Sequence, residues 1–132
     1  MERLLQRFET SDKALKTLEE IYAFDHPTPL ERDAFIQRFE YTYESIWKLG
    51  KQYLRDIEGV DLGSPKRVIR SSREVGLLDE EETILALHMV NDRNLTTHTY
   101  NEQLADEIFQ KIPGYTRLMR LWWENMKKSI PQ

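Results

Sequence analysis

Between Val90 and Glu102 the sequence reads VNDRNLTTHTYNE. Arg93, His98 and Tyr100 fall close together there, and Asn94 follows the arginine. An imidazole moves protons near neutral pH. A guanidinium holds a phosphate through two parallel hydrogen bonds. Together they suit metal-free attack on a phosphodiester, provided that both groups face one point. On a continuous helix five residues turn through about 140°, so Arg93 and His98 would diverge. Thr99 and Glu102 have the spacing of a capping box. That spacing predicts a helix ending near Arg93 and another starting near Thr99, and a bend of this kind can bring the two side chains together. A helix N-terminus and a nearby arginine both favour the neutral imidazole that a general base needs. The same residues also fit a plainer role, with Arg93 as a helix C-terminal charge and His98 as a surface turn residue.

A second candidate is SPKRVIRSSRE. Lys66, Arg70 and Arg73 share one helix face, with Arg67 beside them, while Val68 and Ile69 can turn inward. This basic cluster can dock an RNA backbone or an acidic partner, or simply face solvent. In FEYTYESIW, Glu40 and Glu44 lie one turn apart and can reach a cation or stand free in water. The aromatic residues around them suit a core stripe better than a ligand cage. His88 and Asp92 are also one turn apart, but two ligands without a third do not make a metal site. No metal and no cofactor are expected. Gly63-Ser64 is followed by proline and basic residues, with no Asp-x-Asp downstream, so the chain is not itself a metal-dependent nucleotidyltransferase. Glycine-rich phosphate loops and the GxSxG elbow are absent.

The elements that must position these groups are helices. The stripe Leu4, Phe8, Leu15, Leu18 and Tyr22 predicts a first helix from about Glu2 to Ala23. Thr28, Pro29 and Glu31 open a second, reaching about Ile57 with Ile36, Phe39, Tyr43, Ile46, Gly50, Tyr53 and Ile57 inward. Gly50 on that stripe predicts close helix approach. Ser64-Pro65 opens a short third helix that Gly76 closes. Asp79 and Glu82 open a fourth, through about Asp92, with Ile84, Leu87 and Val90 inward. The last runs from near Thr99 past Trp122, kinked or briefly broken at Pro113-Gly114, which places Tyr100 in its first turn. The fold class is all-α, an up-and-down four-helix bundle with one short extra helix, and residues 1–132 form a single domain. Adjacent Trp122 and Trp123 cannot share one core stripe, so one of them is free to cover an oligomer interface.

Composition narrows the classes further. There is no cysteine, which excludes a disulfide framework and fits a reducing cytoplasm. The charged N-terminus is not a secretory signal, and no run approaches the ~20 apolar residues of a membrane span. A net charge of −4 argues against a generic nucleic-acid coat and requires any RNA contact to use a local basic patch.

Arg93-Asn94-x-x-x-His98-x-Tyr100 resembles the RNxxxHxY signature of the HEPN superfamily (higher eukaryotes and prokaryotes nucleotide-binding). FEYTYESIWK at 39–48 resembles the second-helix block of its prokaryotic nucleotidyltransferase substrate-binding protein family, which includes HepT-type toxins. GSPKRVIRSSREVGLL at 63–78 resembles that family's Ser-Pro-Arg and Gly-Leu block. The likeness spans roughly residues 8 to 115. One position departs: Ala86 stands where the family often has tryptophan, seven residues before the motif arginine. The resemblance implies a homodimeric helical bundle whose paired motifs face each other across a cleft and cleave RNA without metal. It implies that His98 acts as general base or acid, that Arg93 stabilises charge on the scissile phosphate and that Asn94 helps position it. It also implies that a separate minimal nucleotidyltransferase, the antitoxin, transfers AMP to Tyr100. The older family name implies another role, a non-enzymatic subunit that presents substrate to the transferase. A scaffold whose motif has lost activity is the third reading.

Overall fold

The computed structural model describes residues 1–131. Five helices follow in order: α1 (Glu2–Glu19), α2 (Pro29–Glu58), α3 (Pro65–Glu74), α4 (Glu80–Leu95) and α5 (Glu102–Lys128). Short 3-10 turns extend α1 at Glu20–Ala23 and α4 at Thr96–His98. No strand occurs among the described residues. Four long helices and the short α3 make the expected all-α bundle, and α2 packs against α1, α3 and α5.

Local chemistry sets most of the boundaries. Thr28 and Glu31 form the expected capping box, with Glu31 N–H donating to Thr28 Oγ1 at 3.1 Å and Thr28 N–H to Glu31 Oε1 at 2.8 Å. Asp79 and Glu82 do the same at the start of α4, both at 2.8 Å. Each pair satisfies backbone donors that a helix start would leave free. Gly76, at φ 82°, turns the chain after α3, and Leu77 N–H reaches back to the Ser72 carbonyl at 2.8 Å.

Four expectations need correction. Tyr22 is exposed and Ile21 takes its place in the core, because the 3-10 turn has three residues per turn and rotates the inward face. Ile84 faces outward and Leu87 is only half-buried, while Thr83, Ala86 and Met89 join Val90 inside. Apolar side chains occupy both faces of α4, so periodicity does not choose between them. The cap of α5 is Asn101, whose Oδ1 accepts from Leu104 N–H at 3.1 Å. Thr99 instead donates its hydroxyl to the Thr96 carbonyl at 3.0 Å. Finally, α5 runs unbroken through Pro113 and Gly114. A proline inside a helix removes one hydrogen bond, but Ile112, Tyr115 and Thr116 are buried around it and hold both halves in register.

Side chains from all five helices form one core cluster. Trp122 is fully buried, and Gly50 gives it room: a Cβ at that glycine would lie 2.9 Å from Trp122 Cζ2 and 3.0 Å from Val68 Cγ1. Trp123 is half-buried. Its ring meets Phe8 edge-on at 5.6 Å and its Nε1–H donates to the Phe8 carbonyl at 3.1 Å. At the same seam the Arg120 guanidinium joins α5 to α1, reaching Asp12 and Glu19 at 2.8 Å each. No helix is long and apolar enough to cross a membrane among the described residues.

Candidate functional site

Arg93 lies in the last turn of α4, two residues before its end. Its Nη1 donates to the Thr96 hydroxyl at 3.0 Å and stands 3.4 Å from the Glu40 carboxylate of α2. The Thr96 oxygen is also 2.9 Å from Glu40 Oε2 and 2.7 Å from the Arg93 carbonyl, so its single proton serves both acceptors. Glu40, Arg93 and Thr96 thereby tie the middle of α2 to the point where α4 ends. The Arg93 Nε is buried and has no hydrogen-bond partner. A buried unpaired donor at an ion-paired arginine is an unusual leftover.

The bend expected after Arg93 is present, but it is made differently. His98 ends the 3-10 turn, and its carbonyl accepts from Asn101 N–H at 3.1 Å. It therefore lies three residues after the end of α4 and three before the cap of α5. The expectation of a histidine seated on a helix N-terminus is corrected by this placement. Tyr100 likewise precedes the cap and does not belong to the first turn of α5; it is 83 % exposed. The two rings meet edge-on, with centroids 6.0 Å apart and planes at 75°. His98 and Tyr100 thus stand together on an exposed turn.

Asn94 and Arg93 open instead onto a cleft of about 400 Å³ between α2, the start of α3 and α4. Tyr43, Glu44, Trp47, Ser64, Lys66 and Val90 belong to its walls, and His98 and Tyr100 do not. The structure therefore brings Lys66 to Arg93 and Asn94, which the sequence places in separate blocks. It also divides the basic cluster. Arg70 and Arg73 line a second cleft of about 420 Å³ with Glu80, Ile84 and Leu87, where Arg73 is 3.8 Å from Glu80. Arg67 lies on the same short helix and is exposed.

The acidic candidates separate in the same way. Glu40 is the counterion of Arg93, whereas Glu44 accepts from Trp47 Nε1 at 3.2 Å and lies 3.8 Å from Lys48. Asp92 turns to the other side of α4. It is buried, accepts from the Tyr115 hydroxyl and is 3.4 Å from Lys111. Burial first, and the Asp92 hydrogen bond and charge next, hold the Tyr115 phenol well above its ordinary pKa. His88 stays exposed on the preceding turn. The contact between Glu40 and Arg93 is the relationship that sequence reasoning missed. Its residues are far apart in the chain, and no local pattern pairs a glutamate in the middle of one helix with an arginine at the end of another.

The family described as nucleotidyltransferase substrate binding protein like matches residues 6–128. Over 84 residues the chain is 30% identical to the probable ribonuclease HepT of Haemophilus influenzae, a match covering 61% of this chain and 56% of that protein. The chain thus spans little more than half the length of that curated relative. A crystal structure of a Thermus thermophilus protein is 55% identical, with a TM-score of 0.86 over 89% of this chain and 98% of that one. The tri-AMPylated HEPN toxin of Shewanella oneidensis, solved in complex with MNT antitoxin, shares the fold at 14% identity, with a TM-score of 0.76 over 96% of this chain and 97% of that one. With a family match that runs nearly from end to end, the chain belongs to the nucleotidyltransferase substrate binding protein like family.

Proposed function

We propose that this protein is a metal-independent endoribonuclease, the toxin of a toxin–antitoxin pair whose antitoxin is a separate minimal nucleotidyltransferase. In this reading residues 1–132 act as one HEPN-like domain in the cytoplasm. The observation that carries it is the anchored Arg93, at the wall of a cleft and one short turn before an exposed imidazole. His98 takes the proton from a ribose 2′-hydroxyl, whose oxygen attacks the adjacent phosphorus. Arg93 holds the negative charge that builds on the phosphoryl oxygens, and Asn94 orients the phosphate. The bond to the 5′-oxygen breaks, that oxygen receives a proton, and the products carry a 2′,3′-cyclic phosphate and a 5′-hydroxyl. Arg93 faces the cleft and His98 the outer turn, so a homodimer that sets the two motifs opposite each other completes the site. The departing oxygen then draws its proton from the second copy.

Tyr100 is the residue that the nucleotidyltransferase modifies. Its exposure supports this reading, and AMP attached there brings bulk and negative charge beside His98. Arg70, Arg73 and Arg67 serve as a docking face for RNA or for the transferase.

The test is cleavage of RNA by purified protein with EDTA present. Wild type is expected to cut and His98→Ala to lose the activity with its helical circular dichroism intact. Unchanged cleavage by His98→Ala overturns the assignment. A second reading, favoured by the family's description, is a non-enzymatic subunit presenting substrate to the transferase. It requires tight association with the transferase and no cleavage at all. Light scattering that finds only a 15.8 kDa species at micromolar concentration would remove the two-copy site.

A further inference from the structure

The cleft beside Arg93 contains groups that bond cleavage does not use. Trp47 and Val90 form apolar walls, Lys66 supplies a cation, and the Ser64 hydroxyl makes no capping bond to α3. Tyr43 is the informative member. It is 3 % exposed, and burial first and the Glu44 charge second raise its phenol pKa, while the Arg93 charge acts the other way. Its hydroxyl makes no hydrogen bond among the described residues, and the residue lines the cleft. Glu44 accepts from Trp47 Nε1 at 3.2 Å and so fixes the plane of the indole. An oriented aromatic face, a phenol hydroxyl and an ammonium therefore meet in a space of about 400 Å³. Small-ligand sites have this make-up, apolar walls with a few convergent polar groups, and the volume suits one nucleotide.

We propose that this cleft binds one nucleoside monophosphate unit, with its base on Trp47, its sugar or base edge on the Tyr43 hydroxyl and its phosphate on Lys66. Resting on the ribonuclease reading, the unit is the nucleotide next to the scissile phosphate of RNA, and Arg93 and Asn94 lie where the chain leaves the cleft. Stacking on an aromatic side chain accepts any base, so the cleft grips the strand without reading its sequence.

The experiment measures binding of a short single-stranded RNA, and separately of free AMP, to the full-length protein in a His98→Ala background that halts cleavage. Trp47→Ala and Lys66→Ala are each expected to weaken RNA binding about tenfold. Trp47→Phe is expected to weaken it less, and Lys66→Ala to flatten the salt dependence. Trp47→Phe and Lys66→Ala keep the test decisive should Trp47→Ala fail to fold. With His98 restored, the expected effect is a higher KM with kcat little changed. AMP binding that the same substitutions weaken, without any RNA binding, assigns the cleft to a free nucleotide and overturns its role in holding RNA. If wild type cleaves RNA and the variants bind RNA and AMP as tightly as their parent, the cleft proposal falls and the ribonuclease reading stands. If no RNA is cleaved but the variants lose nucleotide binding, the ribonuclease reading falls and the nucleotide cleft stands.

Discussion

The Glu40 carboxylate of α2 lies 3.4 Å from the Arg93 guanidinium of α4, with the Thr96 hydroxyl hydrogen-bonded to both. A flexible side chain is thereby held in place before any ligand arrives. Ordering an arginine at the moment of binding would cost about 1 kcal/mol or more of rotamer freedom.

Removing the anchor is therefore expected to reduce turnover. Glu40→Ala should lower kcat of RNA cleavage roughly tenfold, because a displaced guanidinium no longer matches the charge that develops. Glu40→Gln still accepts from Thr96 and should retain more activity than Glu40→Ala. Steady-state kinetics of the two variants check the order; equal activity in Glu40→Ala and wild type would remove the anchoring role.

Tyr100 should be the site of adenylylation. Incubation with the partner transferase and ATP, followed by peptide mass spectrometry, is expected to find AMP on Tyr100 and none in Tyr100→Phe. The modified protein should cleave RNA at least tenfold more slowly. An adduct confined to any other residue refutes the assignment.

Gly50→Ala should destabilise the fold. Alanine favours a helix over glycine by about 1 kcal/mol, but here its Cβ would press into the buried Trp122 ring and Val68. Overpacking of this kind costs about 1–3 kcal/mol and outweighs that gain, so a melting temperature roughly 5 °C lower is expected. A rise on thermal denaturation would show that the Trp122 ring yields.

Acidification should weaken the seam between α1 and α5. Burial alone would raise the Asp12 pKa, but hydrogen bonds from Arg120 and Lys16 and their charges outweigh it and hold it below the ordinary carboxylate value. A carboxyl depressed in the folded state stabilises the protein fully above its unfolded pKa, near 4, and loses that contribution as pH falls through the lower folded value. Melting temperatures measured from pH 6 to pH 3 should therefore fall less steeply for Asp12→Asn than for wild type. Parallel curves would show that the pair does not contribute to acid sensitivity.

Local chemistry made much of the fold legible. Thr28 with Glu31 and Asp79 with Glu82 announce their helices because both partners lie within one turn. The same reasoning fails at Thr99, where Asn101, an equally good cap, lies two positions on and the 3-10 turn decides between them. Gly50 announced close packing through its place on the inward stripe, although Trp122 as the neighbour did not. Ile84 was misplaced because α4 carries apolar groups on both faces. The packing of Trp123 on Phe8 was not legible, because the two lie at opposite ends of the chain. In the candidate site the motif residues were visible as types and spacing. Glu40 as the counterion of Arg93, and Lys66 across the cleft from it, depend on how α2, α3 and α4 pack, and that packing is not written in any one segment.

Asp92 and Arg93 are neighbours in sequence, yet one is bonded to Tyr115 of α5 and the other to Glu40 of α2. The tip of α4 is riveted from two sides, whereas the imidazole beyond it sits on an uncapped, water-facing turn. In the proposed ribonuclease, any adjustment to a bound strand falls to the histidine side of the motif, with the arginine as the stationary jaw.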